Sequence, residues 1–141
     1  MSHVVDLLLV EDDSGDVLLV QEALASFEHQ VRLHVVSDGD QALSLLADPG
    51  FPRPHFMLMD LHTPRMGALE VLAVMRAHEA WSLIPVVVYS SSPGPADVLR
   101  AHHAGANAYL VKPAELDAFF TLIQSTVAFW QATVAPTQAG Q

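Results

Sequence analysis

Five short apolar runs, each followed by an amphipathic stretch, limit what this chain can fold into. The runs are VVDLLLV (4–10), VRLHVV (31–36), HFMLM (55–59), IPVVVYS (84–90) and NAYLV (107–111). Most are apolar at consecutive positions, so the strands they form must be covered on both faces. Between them, apolar residues recur at helical spacing: Val17, Val20 and Leu24; Ala42, Leu45 and Leu46; Leu69, Leu72 and Met75. Asp38 suits an N-cap, Pro95 a first helical turn and Gly105 a helix stop. A last helix is expected from Ala114 to Ala132. The β-α order, repeated five times, predicts an α/β domain with a doubly wound parallel sheet and right-handed crossovers. Residues 1–132 read as that single domain and 133–141 as a flexible, frayed tail. The Pro-rich stretch DPGFPRP (48–54) reads as a surface connection.

In doubly wound sheets, ligands bind beyond the carboxyl ends of the strands, where the winding direction switches. Those ends carry unusual residues here. Strand one runs into Glu11, Asp12 and Asp13, strand three into Asp60, strand four into Ser90, Ser91 and Ser92, and strand five into Lys112-Pro113. Lys112 is the only lysine in the 141 residues. Clustered carboxylates repel one another and attract a hard divalent cation such as Mg²⁺. An aspartate can act as a nucleophile and form an aspartyl-phosphate. A metal and an ammonium then offset charge on the phosphoryl oxygens, and a serine hydroxyl can donate to one of them.

Composition narrows the partners. Sixteen acids against six Lys plus Arg give a formal net charge of −10, which opposes binding to nucleic acid or to anionic membranes. No stretch approaches the roughly 20 apolar residues of a membrane helix. There is no cysteine, and MSHVVDLLLVEDD lacks the pattern of a signal peptide. A soluble cytoplasmic protein is the expectation.

LLVEDD, MDLHTP, VVVYSS and YLVKP, in that order and spacing, resemble the receiver domain of two-component response regulators. The resemblance covers roughly residues 4–131. It implies a flavodoxin-like (βα)5 fold with strand order 2-1-3-4-5. It also implies that Asp60 is the phosphoacceptor and Asp12 a direct Mg²⁺ ligand. Glu11 would act mainly through a water, and the backbone carbonyl of His62 would be the third protein ligand. Ser90 matches the switch hydroxyl, Lys112 the phosphate-contacting lysine, and Tyr109 the aromatic that changes rotamer on activation. Pro113 matches a position where the family has a cis peptide. STVAFWQATV and SGDVLLVQEAL are similar to single-domain regulators that partner phytochrome-type histidine kinases. Two residues depart from the pattern: Gly67-Ala68 replaces the usual Asp-Gly, and Thr63 replaces an apolar residue.

Other residues have plainer expectations. Asp13 and Asp16 cap or solvate the first helix, and the histidines, His102 and His103 among them, lie on the surface. Ser91 and Ser92 shape their loop, and the His62 side chain stands at the mouth of the site. The last helix carries more apolar residues than one stripe needs, so Phe129 and Trp130 are expected at a homodimer interface. The expected function is phosphoryl acceptance from a histidine kinase, with output through altered protein contacts rather than enzymatic turnover. The alternative is an unphosphorylated interaction module of the same fold. A flavin or nucleotide binder ranks last, because EDDSGD would repel a phosphate unless metal were bound.

Overall fold

The computed structural model describes residues 4–25 and 30–133. Ten elements alternate: β1 (Val5–Val10), α1 (Ser14–Ala23), β2 (Val31–Val36), α2 (Gly39–Ala47), β3 (Phe56–Asp60), α3 (Ala68–Ala77), β4 (Val86–Ser90), α4 (Pro95–Ala104), β5 (Ala108–Val111) and α5 (Leu116–Thr133). The strands form one parallel sheet in the order β2-β1-β3-β4-β5. The expected architecture and order are therefore present. The expected tail lies outside the described residues from 134 onward, as do 26–29 at the end of the first helical stretch.

The chain winds outward from β1 to β2, then reverses past β1 to β3, β4 and β5. Right-handed crossovers then require the helices on the two legs to cover opposite faces. Alternating strand side chains meet them. Leu7, Leu9, Phe56, Leu58, Val87 and Tyr89 pack with Val20 and Ala23 of α1 and with Phe119, Ile123 and Val127 of α5. Leu8, Val10, Met57, Met59, Val86 and Val88 pack with Ala42, Val71, Leu72, Met75 and Ala101 of α2, α3 and α4. The reversal lies between β1 and β3, so the ends of these two strands flank a crevice.

The α5 surplus is partly accounted for within the chain. Trp130 is half-buried and stacks on Phe56, ring centroids 6.1 Å apart. Phe129 meets Trp130 edge-on at 5.0 Å and is 57% exposed.

Arg76 pins the lower edge of the fold. Its guanidinium donates to the carbonyls of Ser82, Ile84 and Gly105 and to Asn107 Oδ1. Gly105 ends α4 in the left-handed conformation, φ 107°. A Cβ there would lie 2.8 Å from Arg76 Cγ. Gly105→Ala is expected to lower stability by about 1–3 kcal/mol, from backbone strain and the displaced guanidinium. A urea midpoint equal to wild type would contradict this account.

Candidate functional site

Glu11 and Asp12 follow β1, and Asp60 ends β3 at the crevice. A carboxylate oxygen from each lies within 4.8 Å of the others. Glu11 is fully buried at its side chain, Asp60 largely buried, and Asp12 exposed. A cleft of about 690 Å³ opens over Asp12, Asp16, Asp60 and Lys112. Three converging oxygen donors with one open side fit a hard divalent cation that keeps some of its waters.

Lys112, just past β5, reaches into the group. Its Nζ donates to Glu11 Oε1 at 3.0 Å, Asp16 Oδ2 at 2.8 Å and Asp60 Oδ2 at 3.0 Å. Three carboxylates thus occupy its three N–H donors. Burial opposes the ammonium, but Asp16, Asp60 and Glu11 together hold its pKa above the ordinary lysine value. Glu11 shifts up too. Burial is the main cause, Tyr89 and Lys112 pull against it, and Asp60 adds to it, leaving Glu11 at about 7. One ammonium does not neutralise this many acids, which is a further reason to expect a cation here.

The sequence expectation for Asp13 holds: its Oδ1 accepts the N–H groups of Gly15 and Asp16 and caps α1. Asp16 needs correction. It is an ion-pair partner of Lys112, because it shares the inward face of α1 with Val20 and Ala23. Tyr89 was missed entirely. Its phenol, at the end of β4, donates to Glu11 Oε1 at 2.6 Å, and the Lys112 ammonium lies 4.3 Å from the centre of its ring. Burial and the adjacent acids raise the phenol's pKa, so it stays a donor.

The remaining expected residues surround this group. The His62 N–H donates to Asp60 Oδ1 at 3.0 Å, and the residue is exposed. Ser90 is buried, and its Oγ accepts the Ser92 N–H at 3.1 Å. Ser92 in turn donates from its hydroxyl to Asp97 and accepts the Tyr109 hydroxyl at its carbonyl, 2.7 Å in both cases. An unbroken path of hydrogen bonds therefore runs from Ser90 through Ser92 to Tyr109 on β5. His102 and His103 are exposed.

Both sequence departures have local reasons. Thr63 closes its turn by donating to the Met66 carbonyl at 2.7 Å. Gly67 caps α3 without a side chain, and Glu70 accepts its N–H. The loop is tied to α2 by Gly39 N–H to the Met66 carbonyl and by an Arg65–Asp38 ion pair, with Arg65 at φ 66°. Pro113 does not follow the resemblance: the Lys112–Pro113 bond is trans, the lower-energy isomer for most X–Pro bonds.

The protein is thus a doubly wound α/β domain in which three carboxylates and a lysine converge beyond the strand ends. This chain belongs to the response regulator receiver domain family, which residues 7–124 match. Response regulator Rcp1 of Synechocystis is 36% identical over 132 residues, covering 91% of this chain and 90% of that protein. Similar solved structures include the phosphorylated cyanobacterial phytochrome response regulator RcpA, with TM-score 0.88, 32% identity, and 95% and 99% of the two chains covered. The Mn²⁺-bound form of Rcp1 is also among them, with TM-score 0.85, 34% identity, and 94% and 99% covered.

Proposed function

We propose that this chain is a phosphorylatable switch that accepts a phosphoryl group on Asp60 from a histidine kinase of phytochrome type. The observation that carries the reading is the convergence of Glu11, Asp12 and Asp60 with Lys112, whose Nζ lies 3.0 Å from Asp60 Oδ2. The similarity to RcpA, a cyanobacterial phytochrome response regulator, supports the phytochrome-type partner. The chain is a phosphoacceptor with self-catalysed steps rather than a turnover enzyme, and its place of action is the cytoplasm. No helix among the described residues is long and apolar enough to cross a membrane.

An Asp60 oxygen attacks the phosphorus of the donor's phosphohistidine. A P–O bond forms as the P–N bond breaks, and the imidazole leaves with the electron pair. Glu11, Asp12, Asp60 and the His62 carbonyl would hold Mg²⁺, which when bound offsets charge on the phosphoryl oxygens. Lys112 is placed to donate to one of those oxygens, and the Ser90 O–H to another. When Ser90 turns toward the phosphoryl group, the Ser92 N–H loses its acceptor. The Tyr109 bond to the Ser92 carbonyl is then weakened, and the balance between two loop arrangements shifts. Incubation with Mg²⁺ and acetyl phosphate should place one phosphoryl group on each chain, and chelation should abolish it. A chain that stays unlabelled with both acetyl phosphate and phosphorylated kinases would refute the reading.

The output surface is a homodimer interface on β5 and α5. Phe129 and Val111 are exposed there, and a cleft of about 420 Å³ lies between Leu110, Thr126, Phe129 and Trp130. Because Trp130 also packs on Phe56, Phe129→Ala is the cleaner test. Its sedimentation mass should fall toward that of a monomer while labelling persists. A monomeric wild type, with or without phosphate, would end the dimer reading.

A further inference from the structure

We propose that Tyr89 is a positioning residue of this site, its hydroxyl fixing Glu11 and its ring seating Lys112. This rests on the phosphoacceptor reading of Asp60. Tyr89 is fully buried on β4, directly opposite Asp60 in the register of β3 and β4. Its hydroxyl reaches past β3 to Glu11 Oε1 at 2.6 Å. A buried phenol needs a partner. The partner here is an acid of the triad, and the same ring lies beneath the single lysine. An aliphatic residue would fill this core position and supply neither contact.

The consequence concerns Lys112. All three of its N–H donors are taken by Glu11, Asp16 and Asp60. As Asp60 becomes an acyl phosphate, the ammonium has to follow the phosphoryl oxygens. The Asp16 side chain is 26% exposed, so water can replace the ammonium there. The Glu11 side chain is 0% exposed, so bulk water does not reach it directly. A buried carboxylate stripped of a donor is costly. The Tyr89 hydroxyl stays on the same Oε1 and limits that cost. Tyr89 thereby frees Lys112 for the phosphoryl group while holding Glu11 in the orientation a cation would use. The backbone N–H of Asp13, 3.2 Å from Oε2, fixes the other oxygen.

The test compares the full chain with Tyr89→Phe and Tyr89→Leu in three measurements. These are calorimetric titration with MgCl2 alone, the rate of phosphoryl uptake from acetyl phosphate, and urea unfolding without metal. Tyr89→Phe keeps the ring and loses the donor. It is expected to weaken Mg²⁺ binding about three- to tenfold, a fraction of what a hydrogen bond to a charged group can contribute, and to slow uptake comparably. Tyr89→Leu should lose the same affinity and slow uptake further, because Lys112 loses its seat. A Phe variant that binds Mg²⁺ within about twofold of wild type and takes up phosphate at the wild-type rate overturns the proposal, whatever its urea midpoint. A merely structural tyrosine would move the midpoint alone. A wild type that binds no Mg²⁺ and takes up no label would instead remove the phosphoacceptor reading itself, and this proposal with it.

Discussion

Asp60→Asn is expected to take up no phosphoryl group from acetyl phosphate or from a kinase, under conditions that label the wild type fully. An amide has no anionic oxygen to attack phosphorus. Three neighbouring acids have other tasks: Glu11 is enclosed, Asp12 offers its oxygen to the triad, and Asp13 caps α1. The substitution keeps shape, so loss of fold would not explain loss of label. A second readout follows from charge. Burial and then Asp60 hold Glu11 near 7 against an ordinary value of 4.5. The folded protein therefore binds more protons than the unfolded chain between these values, and metal-free stability should fall as pH rises through that window. Asp60→Asn removes one cause of the shift, so its stability should fall less steeply. Equal labelling of the variant would move the nucleophile elsewhere. A stability profile as steep as wild type would remove Asp60 from the coupling with Glu11.

The sheet was legible because burial on both faces leaves few polar choices, and the polar residues that interrupt the pattern therefore mark ends. Asp60 after FMLM and Lys112 after AYLV are such interruptions, and β1 and β3 bring their ends together at the switch point. Gly105 was legible for a backbone reason, since φ 107° suits little else. What escaped was reach. Asp16 stands four residues before Val20 and seven before Ala23, so its inward phase could have been read from helical spacing. Tyr89 placed a phenol inside a buried run, a signal that a partner must exist, but strand order alone does not show that its hydroxyl reaches across β3 to Glu11 at the end of β1. Arg65 and Asp38 join two loops far apart in sequence, and no local pattern announces that pairing. Trp130 also packs within the chain, half-buried and stacked on Phe56, a contact between α5 and β3 that helical spacing alone does not announce.

Asp12→Ala and Asp13→Ala should have opposite effects although the residues are neighbours. Asp12 is exposed, offers an oxygen to the triad and makes no capping bond. Removing it takes away an anionic oxygen ligand. Loss of even a supporting residue around a metal typically costs about 10- to 100-fold in affinity, so Mg²⁺ binding should weaken by at least about tenfold. Phosphoryl uptake should slow in step. Metal-free stability should hold or rise, because one charge leaves a crowded group of acids. Asp13 is bound the other way. Its Oδ1 accepts from Gly15 at 2.8 Å and Asp16 at 3.1 Å, so alanine leaves the first turn of α1 uncapped. That should lower stability by about 1 kcal/mol. Mg²⁺ affinity should change little, since the Asp13 N–H that supports Glu11 belongs to the backbone. Calorimetric Mg²⁺ titration and urea unfolding of both variants separate the two roles. If Asp13→Ala loses the metal and Asp12→Ala loses only stability, the acidic cluster has been assigned one residue out of register.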